Sequence, residues 1–437
     1  MNKLLFMSDS PLTTTGYSTM CRNISNHMVK KGWDVTVLGH NYVGQNLIPP
    51  IKFEDGSDIK FKMMGAGMQR YANDIIETRL HELRPDIFMV LLDTFMLHPP
   101  ESDYLSKDLS PAKTIFYFPT DGEPFPQGCD KVLTKFHYSV AMSKHGQKQV
   151  AREFGIKSHY IPHGVDIKVF YPMSEQEKNQ LRARWNLQGK FVVGSVARNQ
   201  GRKMMDRTIK AFAKFCRDKP DAILLLHTDP YDGAAACDLP LLIQKFNLEN
   251  RVLFTGTRYF KGFDYQQMRE VYNLMDVFLL TTSGEGFGVP IIEAMACGVP
   301  CVVTDYTTTE ELITDNNAGI AVDMIEFHKI PDFMKKGVKW ISSITILPEF
   351  MKKFVNWMDD FIETYEYPTE EMLTGAWHVE RGIISNSKCA KALKKLYENP
   401  ELRKEMGKNG HDAAQREYSW DKVMPLWYDL LEEIANE

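Results

Sequence analysis

Short apolar runs alternate with amphipathic stretches along most of the chain. In the first part of the sequence these runs lie at 3–7, 34–39, 86–92, 113–118 and 138–143. Because almost every position in them is apolar, they predict strands that are buried on both faces, as in a parallel sheet covered by helices. Between the first two runs, residues 17–32 have helical periodicity and end in a glycine, which predicts a helix.

The same alternation begins again in the middle of the chain. Its apolar runs lie at 190–197, 222–227, 251–256, 276–281 and 300–305, with a predicted helix at 203–217. Between the two series, residues 163–189 contain no comparable run. We therefore expect an α/β protein with two doubly wound domains that face a cleft. Ligands of such sheets bind beyond the carboxyl ends of the strands.

Residues 324–377 interrupt this rhythm. The segment is rich in aromatic and methionine side chains, including Trp340, Trp357 and Trp377, and its pattern indicates helices rather than strands. We predict a helical insertion in the second domain. Two roles stay open, a cap packed on the sheet and a surface that binds an acceptor or a partner.

The length and composition agree with two globular domains. One hydrophobic core rarely serves more than about 250–300 residues, and this chain has 437. Its seven cysteines have no paired spacing, which indicates free thiols in a reducing compartment. The first apolar run is too short for a signal peptide, and no apolar run is long enough to span a membrane. We expect a cytoplasmic protein without a transmembrane segment.

The charge is distributed unevenly. The net charge is −5, which argues against a chain built as a whole to hold polyanions. Residues 131–219 nevertheless contain 19 Lys and Arg against 6 Asp and Glu. This basic region is either a solvated face or a surface that attracts an anionic ligand.

The stretch 283–302 contains only two charged residues, Glu285 and Glu293, in an apolar, glycine-rich context. It predicts a loop after a buried strand, followed by a helix with Pro290 in its first turn. Glycines let the backbone approach a ligand, and the N–H groups of a helix start suit a phosphate. The two carboxylates are therefore placed to bind hydroxyls at two ends of one ligand, a sugar and a ribose, with a diphosphate between them. The alternative is a tight turn with two solvated glutamates.

Two other loops follow predicted strands. One carries Arg198 and Lys203, whose charges suit a diphosphate and its departure as a leaving group, and Arg202 either shares that role or is solvated. The other, 8–18, contains Gly16 among small polar residues. It has neither the dinucleotide nor the P-loop pattern, which disfavours a dinucleotide or a magnesium-bound nucleoside triphosphate.

With these motifs in this order, the sequence resembles retaining glycosyltransferases of family 4, the group 1 glycosyl transferases, which have the GT-B fold. The resemblance covers most of the chain. Its motifs are the loop ending at Gly16, "VAMSKHGQKQVAREFG" and then "YIPHGVD" at 160–166, the Arg198/Lys203 pair, "VLFTG" at 252–256, the E-x7-E pair Glu285/Glu293 and "NPELRKEMGKNG" near the end. It implies Rossmann-like domains at 1–165 and 166–419, and a final helix, about 420–437, that crosses back onto the first domain.

The resemblance also implies a substrate and roles for these residues. The substrate is a nucleotide-sugar donor held mainly by the second domain. Arg198 and Lys203 would contact its diphosphate, and Glu285 would face the transferred sugar. Glu293 would bind the ribose hydroxyls. The remaining donor-binding positions are Gly16, Gly286, Phe287, Gly288 and Val289.

Two features depart from the family pattern. Many relatives have a His-Asp-like pair near the sugar, whereas the matching stretch here, 117–126, has Asp121 and no histidine. We expect Asp121 to orient the sugar or the acceptor. The insertion at 324–377 has no counterpart in the family.

The sequence favours chemistry without a metal or another cofactor. It contains no D-x-D motif, so we predict that cationic side chains and a helix start replace a divalent ion. No carboxylate is clearly placed as a nucleophile. We therefore expect front-face attack with retention, in which the leaving phosphate assists deprotonation of the acceptor. His163 is expected to be a hinge or packing residue rather than a catalyst.

The acceptor and two other functions stay open at this stage. A glycan, a small molecule or a polyanion such as DNA would each suit the sequence as acceptor. A catalytically degenerate scaffold that binds sugar nucleotides or glycans is the main alternative function. A GT-B phosphorylase or epimerase is a further one, although no lysine stands in a context that indicates pyridoxal phosphate.

Overall fold

The computed structural model describes residues 1–13, 15–49, 51–52, 58–257, 262–325 and 382–437. Almost all of the predicted insertion therefore lies outside the described residues. The first half of the chain contains the strands β1 (Lys3–Asp9), β2 (Asp34–His40), β3 (Ile51–Lys52), β4 (Asp58–Ile59), β5 (Lys62–Gly65), β6 (Ile87–Leu91), β7 (Lys113–Phe118), β8 (Tyr138–Ala141) and β9 (His159–Tyr160). Its helices are α1 (Gly16–Lys30), α2 (Ile76–Leu83), α3 (Asp130–Lys135) and α4 (Lys144–Phe154).

The strands of the second half are β10 (Phe191–Val196), β11 (Ala222–His227), β12 (Val252–Phe254), β13 (Val277–Leu280), β14 (Cys301–Thr304) and β15 (Gly319–Val322). Its helices are α5 (Glu175–Arg184), α6 (Met205–Phe215), α7 (Leu239–Lys245), α8 (Tyr265–Asn273), α9 (Val289–Ala296), α10 (Asn386–Glu398), α11 (Pro400–Ala413) and α12 (Trp420–Asn436). Short 3-10 turns lie at Arg70–Ala72, Thr94–Leu97, Gly201–Lys203 and Cys216–Asp218, and π turns at Glu310–Thr314 and Ala414–Tyr418.

Two parallel sheets organise these elements. The first has seven strands in the order β5-β2-β1-β6-β7-β8-β9, and the second has six in the order β12-β11-β10-β13-β14-β15. In each sheet the strand order reverses beside the first strand, so the loops after two neighbouring strands diverge and leave a crevice there. These switch points lie between β1 and β6 and between β10 and β13. The predicted fold, two doubly wound α/β sheets, is confirmed.

The sheets are buried as their apolar runs predict. All five residues of β6 and all six of β10 are buried, so helices cover both faces. The edge strand β15 is only partly buried, and the sequence pattern did not reveal it. The pair β3–β4 forms a separate antiparallel ribbon.

The chain passes between the two sheets twice, and the two passages touch. Val165 donates to the carbonyl of Tyr418 at 2.7 Å, and Trp420 donates to the carbonyl of Val165 at 3.3 Å. From there α12 runs onto the first sheet, where Trp427 packs edge-on against Tyr117 with ring centroids 4.9 Å apart. The final helix thus contacts the first sheet, as the resemblance implies, whereas the domain boundary at 165 and 166 stays a prediction.

All seven cysteines are free thiols, and six of them are buried. Among the helices of the described residues, none is both long enough and apolar enough to cross a membrane.

Candidate active site

Most of the predicted donor residues lie in or next to two loops that meet at the switch point of the second sheet. One loop joins β10 to α6, and the other joins β13 to α9. They are tied together because Ser283 donates its backbone N–H to the carbonyl of Arg202 at 2.8 Å, and its hydroxyl bonds the same oxygen at 3.0 Å. The topology therefore brings together side chains that are about 80 residues apart in sequence.

Glu285 is the centre of this cluster. Its carboxylate accepts hydrogen bonds from Lys203 Nζ at 2.6 and 2.8 Å and lies 3.1 Å from Arg202 Nη1. The residue is 6% exposed. Burial would raise the pKa of Glu285, but the charges of Lys203 and Arg202 outweigh it and lower that pKa to about 2. Glu285 is therefore a buried, permanently ionised carboxylate.

The two cations respond differently to this environment. Burial, together with the charge of Arg202, lowers the pKa of Lys203 to about 8, although Glu285 partly offsets the shift. Burial opposes the charge on Arg202, but the carboxylates of Glu285 and Asp121 raise its pKa. Arg202 thus stays charged, whereas Lys203 titrates close to neutral pH.

Arg202 also connects the two halves of the molecule. Its Nε lies 3.4 Å from Asp121 Oδ2, and its Nη1 donates to the carbonyl of Gly284 at 2.8 Å. A Cβ at Gly284 would lie 1.9 Å from the carbonyl oxygen of Asp121, so the glycine permits this close approach. Of the two roles that the sequence left open for Arg202, solvation is wrong, since the side chain is half-buried and paired.

The first sheet contributes further polar groups beside Asp121. Asp93 follows β6 at the other switch point and accepts a hydrogen bond from the Tyr17 hydroxyl at 2.8 Å. Burial and the charge of Asp121 raise the pKa of Asp93 to about 6. The face of the cleft opposite Glu285 therefore carries two carboxyl groups, those of Asp93 and Asp121, and the hydroxyl group of Tyr17.

Arg198 lies in the same loop as Lys203 but has a different partner. It bonds Asp232 through Nε at 2.6 Å and Nη2 at 3.3 Å, a bidentate pair that fixes the guanidinium plane. The hydrogen bond from Arg198 lowers the pKa of Asp232. Asp232 belongs to the loop after β11.

Glu293 lies one turn into α9, on the other side of the glycine loop. It accepts a hydrogen bond from the Tyr272 hydroxyl at 2.7 Å. Burial raises the pKa of Glu293 to about 7, against the lowering effect of this bond. The two carboxylates of the E-x7-E pair thus have opposite electrostatic surroundings, one ionised by cations and the other buried beside a phenol.

The other predicted donor positions line the join between the two halves. Gly288, with φ of 107°, precedes α9, and no side chain of the described residues caps that helix. A Cβ on Gly16 would meet Val289 at 3.8 Å, and one on Gly286 would meet Pro119 at 2.5 Å. The backbones of Gly16 and Gly286 therefore lie close to the side chains of Val289 and Pro119 from the other half of the chain.

The side chain of Phe287 is buried between aromatic neighbours. It is 2% exposed and packs on His163 and Tyr418, with ring centroids 5.0 and 5.9 Å away. Only its backbone is left for a donor. Burial lowers the pKa of His163 to about 3, and its Nδ1 hydrogen-bonds the Tyr117 hydroxyl at 2.7 Å. These contacts are those of a packing residue.

Similarity to known proteins is consistent with this geometry. Residues 177–332 match the family described as glycosyl transferases group 1. That part of the chain belongs to the group 1 glycosyl transferases. Mannosylfructose-phosphate synthase of Agrobacterium fabrum is 32% identical over 187 residues, which is 41% of this chain and 38% of that protein. The match therefore spans about two fifths of the relative's length.

Two solved structures resemble this chain over nearly its whole length. Sucrose-phosphate synthase of Thermosynechococcus elongatus has a TM-score of 0.67 at 16% identity and covers 99% of each chain. HepE of Anabaena, solved with UDP and glucose, has a TM-score of 0.66 at 15% identity and covers 99% of this chain and 100% of its own. At such identities the likeness shows the fold, which is GT-B.

Several residues of this site were missed by sequence analysis. They are Tyr17, Asp93, Asp232, Tyr272 and Thr307. Asp93 directly follows an apolar strand, which is a usable signal, whereas the others lie in loops or helices without a distinctive motif. Within the described residues, no group of three or more His, Cys, Asp or Glu side chains is arranged to hold a metal ion.

Proposed function

We propose that this protein transfers a sugar from a nucleotide-sugar donor to an acceptor hydroxyl, with retention of configuration. The observation that carries the proposal is the buried cluster of Glu285, Lys203 and Arg202 at the switch point, opposite Asp121. The group 1 match supports the donor class, and so does HepE, whose structure was solved with UDP and glucose.

The donor would lie along the two glycine-bounded loops. Arg198 and Lys203 are assigned to its diphosphate, Glu293 to the ribose and Glu285 to the sugar. Asp232 orients Arg198 by its bidentate pair, and Tyr272 orients Glu293. Asp232 and Tyr272 thus hold the side chains of Arg198 and Glu293 in one geometry, which favours binding of a ligand with fixed hydroxyl and phosphate positions.

The state of Glu285 favours front-face chemistry. A carboxylate held by two cations is a weak nucleophile, so Glu285 is assigned to orient the sugar and stabilise positive charge. The acceptor oxygen bonds to the anomeric carbon on the face that the leaving group vacates. The bond from that carbon to the phosphate oxygen breaks, and its electron pair goes to the phosphate, which also receives the acceptor's proton. Lys203 and Arg198 stabilise the resulting charge.

A panel of nucleotide sugars tests the proposal. The full chain is incubated with UDP-, GDP- and ADP-sugars, with and without simple sugar acceptors, and released nucleotide is measured. We expect at least one donor to be hydrolysed slowly or transferred. Saturable binding of a donor without release would instead support the degenerate scaffold, and neither binding nor release would reject both.

Activity is expected to persist in EDTA. Lys203, Arg202 and Arg198 already provide positive charge where the diphosphate is assigned, and the start of α9 adds its N–H groups. The measurement is the initial rate after treatment with chelator. Loss of activity that Mg²⁺ or Mn²⁺ restores would contradict metal independence.

The donor KM is expected to rise as the pH falls through 7. The pKa of Glu293 is about 7, so below that pH its carboxylate becomes protonated and loses the charge that accepts ribose hydroxyls. If only the ionised form binds, KM approaches about a tenfold increase per pH unit below the pKa. Glu293→Gln should have a high donor KM that no longer changes over pH 5.5–7.5. An unchanged acidic limb in this variant would assign the titration to another group.

A further inference from the structure

The segment 305–311, which follows β14, lies outside every donor motif and contacts the first half of the molecule. Glu311 is a carboxylate that is only 3% exposed. Both of its oxygens lie 3.1 Å from the backbone N–H of Lys144, and Oε2 accepts from the Tyr160 hydroxyl at 3.2 Å. Both donors belong to elements of the first sheet's half, α4 and β9.

The chemistry of a helix start explains why a carboxylate lies there. The first backbone N–H groups of α4 lack partners within the helix, and they carry partial positive charge. The hydroxyl of Ser143, the N-cap residue, accepts the backbone N–H of Gly146. Glu311 accepts from the first N–H of the helix, so it caps a helix that belongs to the other half of the chain.

Burying the carboxylate of Glu311 costs free energy, because burial disfavours the charged form. Burial raises the pKa of Glu311 to about 7, although the amide hydrogen bonds act in the opposite direction. A neutral residue would avoid that cost. The carboxyl group is therefore explained by what it holds in place rather than by a gain in stability from its own burial.

The same segment also holds the active site. Thr307 accepts the backbone N–H of Glu285 at 3.1 Å and donates its hydroxyl to the carbonyl of Glu285 at 3.0 Å. Tyr306 accepts the backbone N–H of Glu123 at 2.8 Å, two residues after Asp121. Three residues of this segment therefore contact the loop of Asp121, the backbone of Glu285 and the start of α4.

The backbone of Thr307 supports a functional constraint. Its φ of 56° lies in the left-handed region, where a β-branched residue is strained. Such conformations persist only where the surroundings over-determine them, and they concentrate at functional sites. Here the two hydrogen bonds to Glu285 are the interactions that the strained conformation provides.

We propose that Glu311 is a positioning residue: by capping α4 it holds segment 305–311 against the opposite half of the molecule, and through Thr307 it sets the position of Glu285 relative to Asp121. The contact rests on geometry alone, whereas its kinetic consequence rests on the proposed transferase function. The two parts are tested by separate measurements.

Amide hydrogen exchange of the full chain without ligand tests the contact. In Glu311→Ala, exchange is expected to become at least about tenfold faster at Lys144, which loses a charge-assisted hydrogen bond, and also at Glu285. Glu310→Gln is the matched control. Its side chain is 70% exposed and lies 3.8 Å from Lys148, which is also on α4, so exchange at both sites should be unchanged.

The outcomes separate positioning from local capping. Faster exchange at Lys144 with an unchanged rate at Glu285 would reduce Glu311 to a local cap and overturn the proposal. Glu311→Gln keeps the volume and one acceptor oxygen, so its rates should lie between those of the wild type and the alanine variant. If the alanine variant does not fold, the glutamine variant decides by the same comparison with Glu310→Gln.

Kinetics provide the second readout. The donor is assigned mainly to the second half of the chain, so Glu311→Ala should lower kcat at least about tenfold while the donor KM changes far less. An equal effect on both parameters would contradict a positioning role. If the wild type turns over none of the nucleotide sugars, the proposed function has failed, and the exchange measurement still decides the contact.

Discussion

Glu285→Gln is expected to lower kcat by about a hundredfold, near the upper end of what one lost charge-assisted hydrogen bond, about 1.5–3 kcal/mol, is worth. The substitution preserves the volume of a side chain that is 6% exposed. It removes the charge that Lys203 and Arg202 neutralise, and it turns an amide NH2 donor toward these two donors. The sugar then loses the carboxylate that orients it and stabilises its positive charge in the transition state.

Initial rates over a range of donor concentrations check this expectation. We expect the donor KM to change much less than kcat, because Arg198 and Glu293 remain in place. Glu270→Gln is the control, since Glu270 is also paired with an arginine, Arg184 at 2.9 Å, but outside the site. A kcat close to that of the wild type in Glu285→Gln would remove Glu285 from the reaction.

The strands that sequence analysis predicted best are those at the centres of the sheets. The bounds of β7 and β11 match the predicted runs because every one of their central positions is buried. By contrast, β9 has two residues and lies at a sheet edge, and β15 is half-buried at the other sheet's edge. Edge strands bury fewer positions, so their sequences lack the continuous apolar run that marks a central strand.

The residues of the candidate site also divide into some that the sequence revealed and others that it did not. Glu285, Glu293, Arg198 and Lys203 could be singled out because glycines and a helix start accompany them in sequence. Their partners could not, since Asp232 is 34 residues from Arg198 and Tyr272 is 21 from Glu293. Such pairs arise from strand order, which places separate loops at one switch point.

Arg202 illustrates what remained undecided. Its sequence context suits a solvated cation as well as a buried one. Its pairing with Asp121 depends on how the opposite half of the chain approaches, at the close contact beside Gly284. No local pattern encodes that approach, so two interpretations were equally consistent with the sequence.

Lys203→Met is expected to have the other large effect, a fall in kcat/KM of about a hundredfold or more. The ammonium group is assigned to both Glu285 and the leaving diphosphate, so its loss removes two charge-assisted interactions worth about 1.5–3 kcal/mol each. Lys210→Met is the control, because Lys210 pairs with Asp206 at 3.2 Å on α6, outside the proposed site. The loss of one such interaction costs at least about tenfold. A smaller loss in Lys203→Met would therefore remove Lys203 from the diphosphate site.

Two further variants show whether the charge of Lys203 and its pairing with Glu285 account for the loss. The pKa of Lys203 is about 8, so kcat/KM of the wild type should fall as the pH rises through 8 and the ammonium loses its proton. Lys203→Arg stays protonated and should lose this alkaline limb, even if its different geometry lowers the rate.

Combining Lys203→Met with Glu285→Gln should lower kcat/KM by less than the product of the two single effects, because directly contacting residues couple by about 0.5–3 kcal/mol. Strictly multiplicative losses would mean that the 2.6 Å contact between these side chains has no part in transfer.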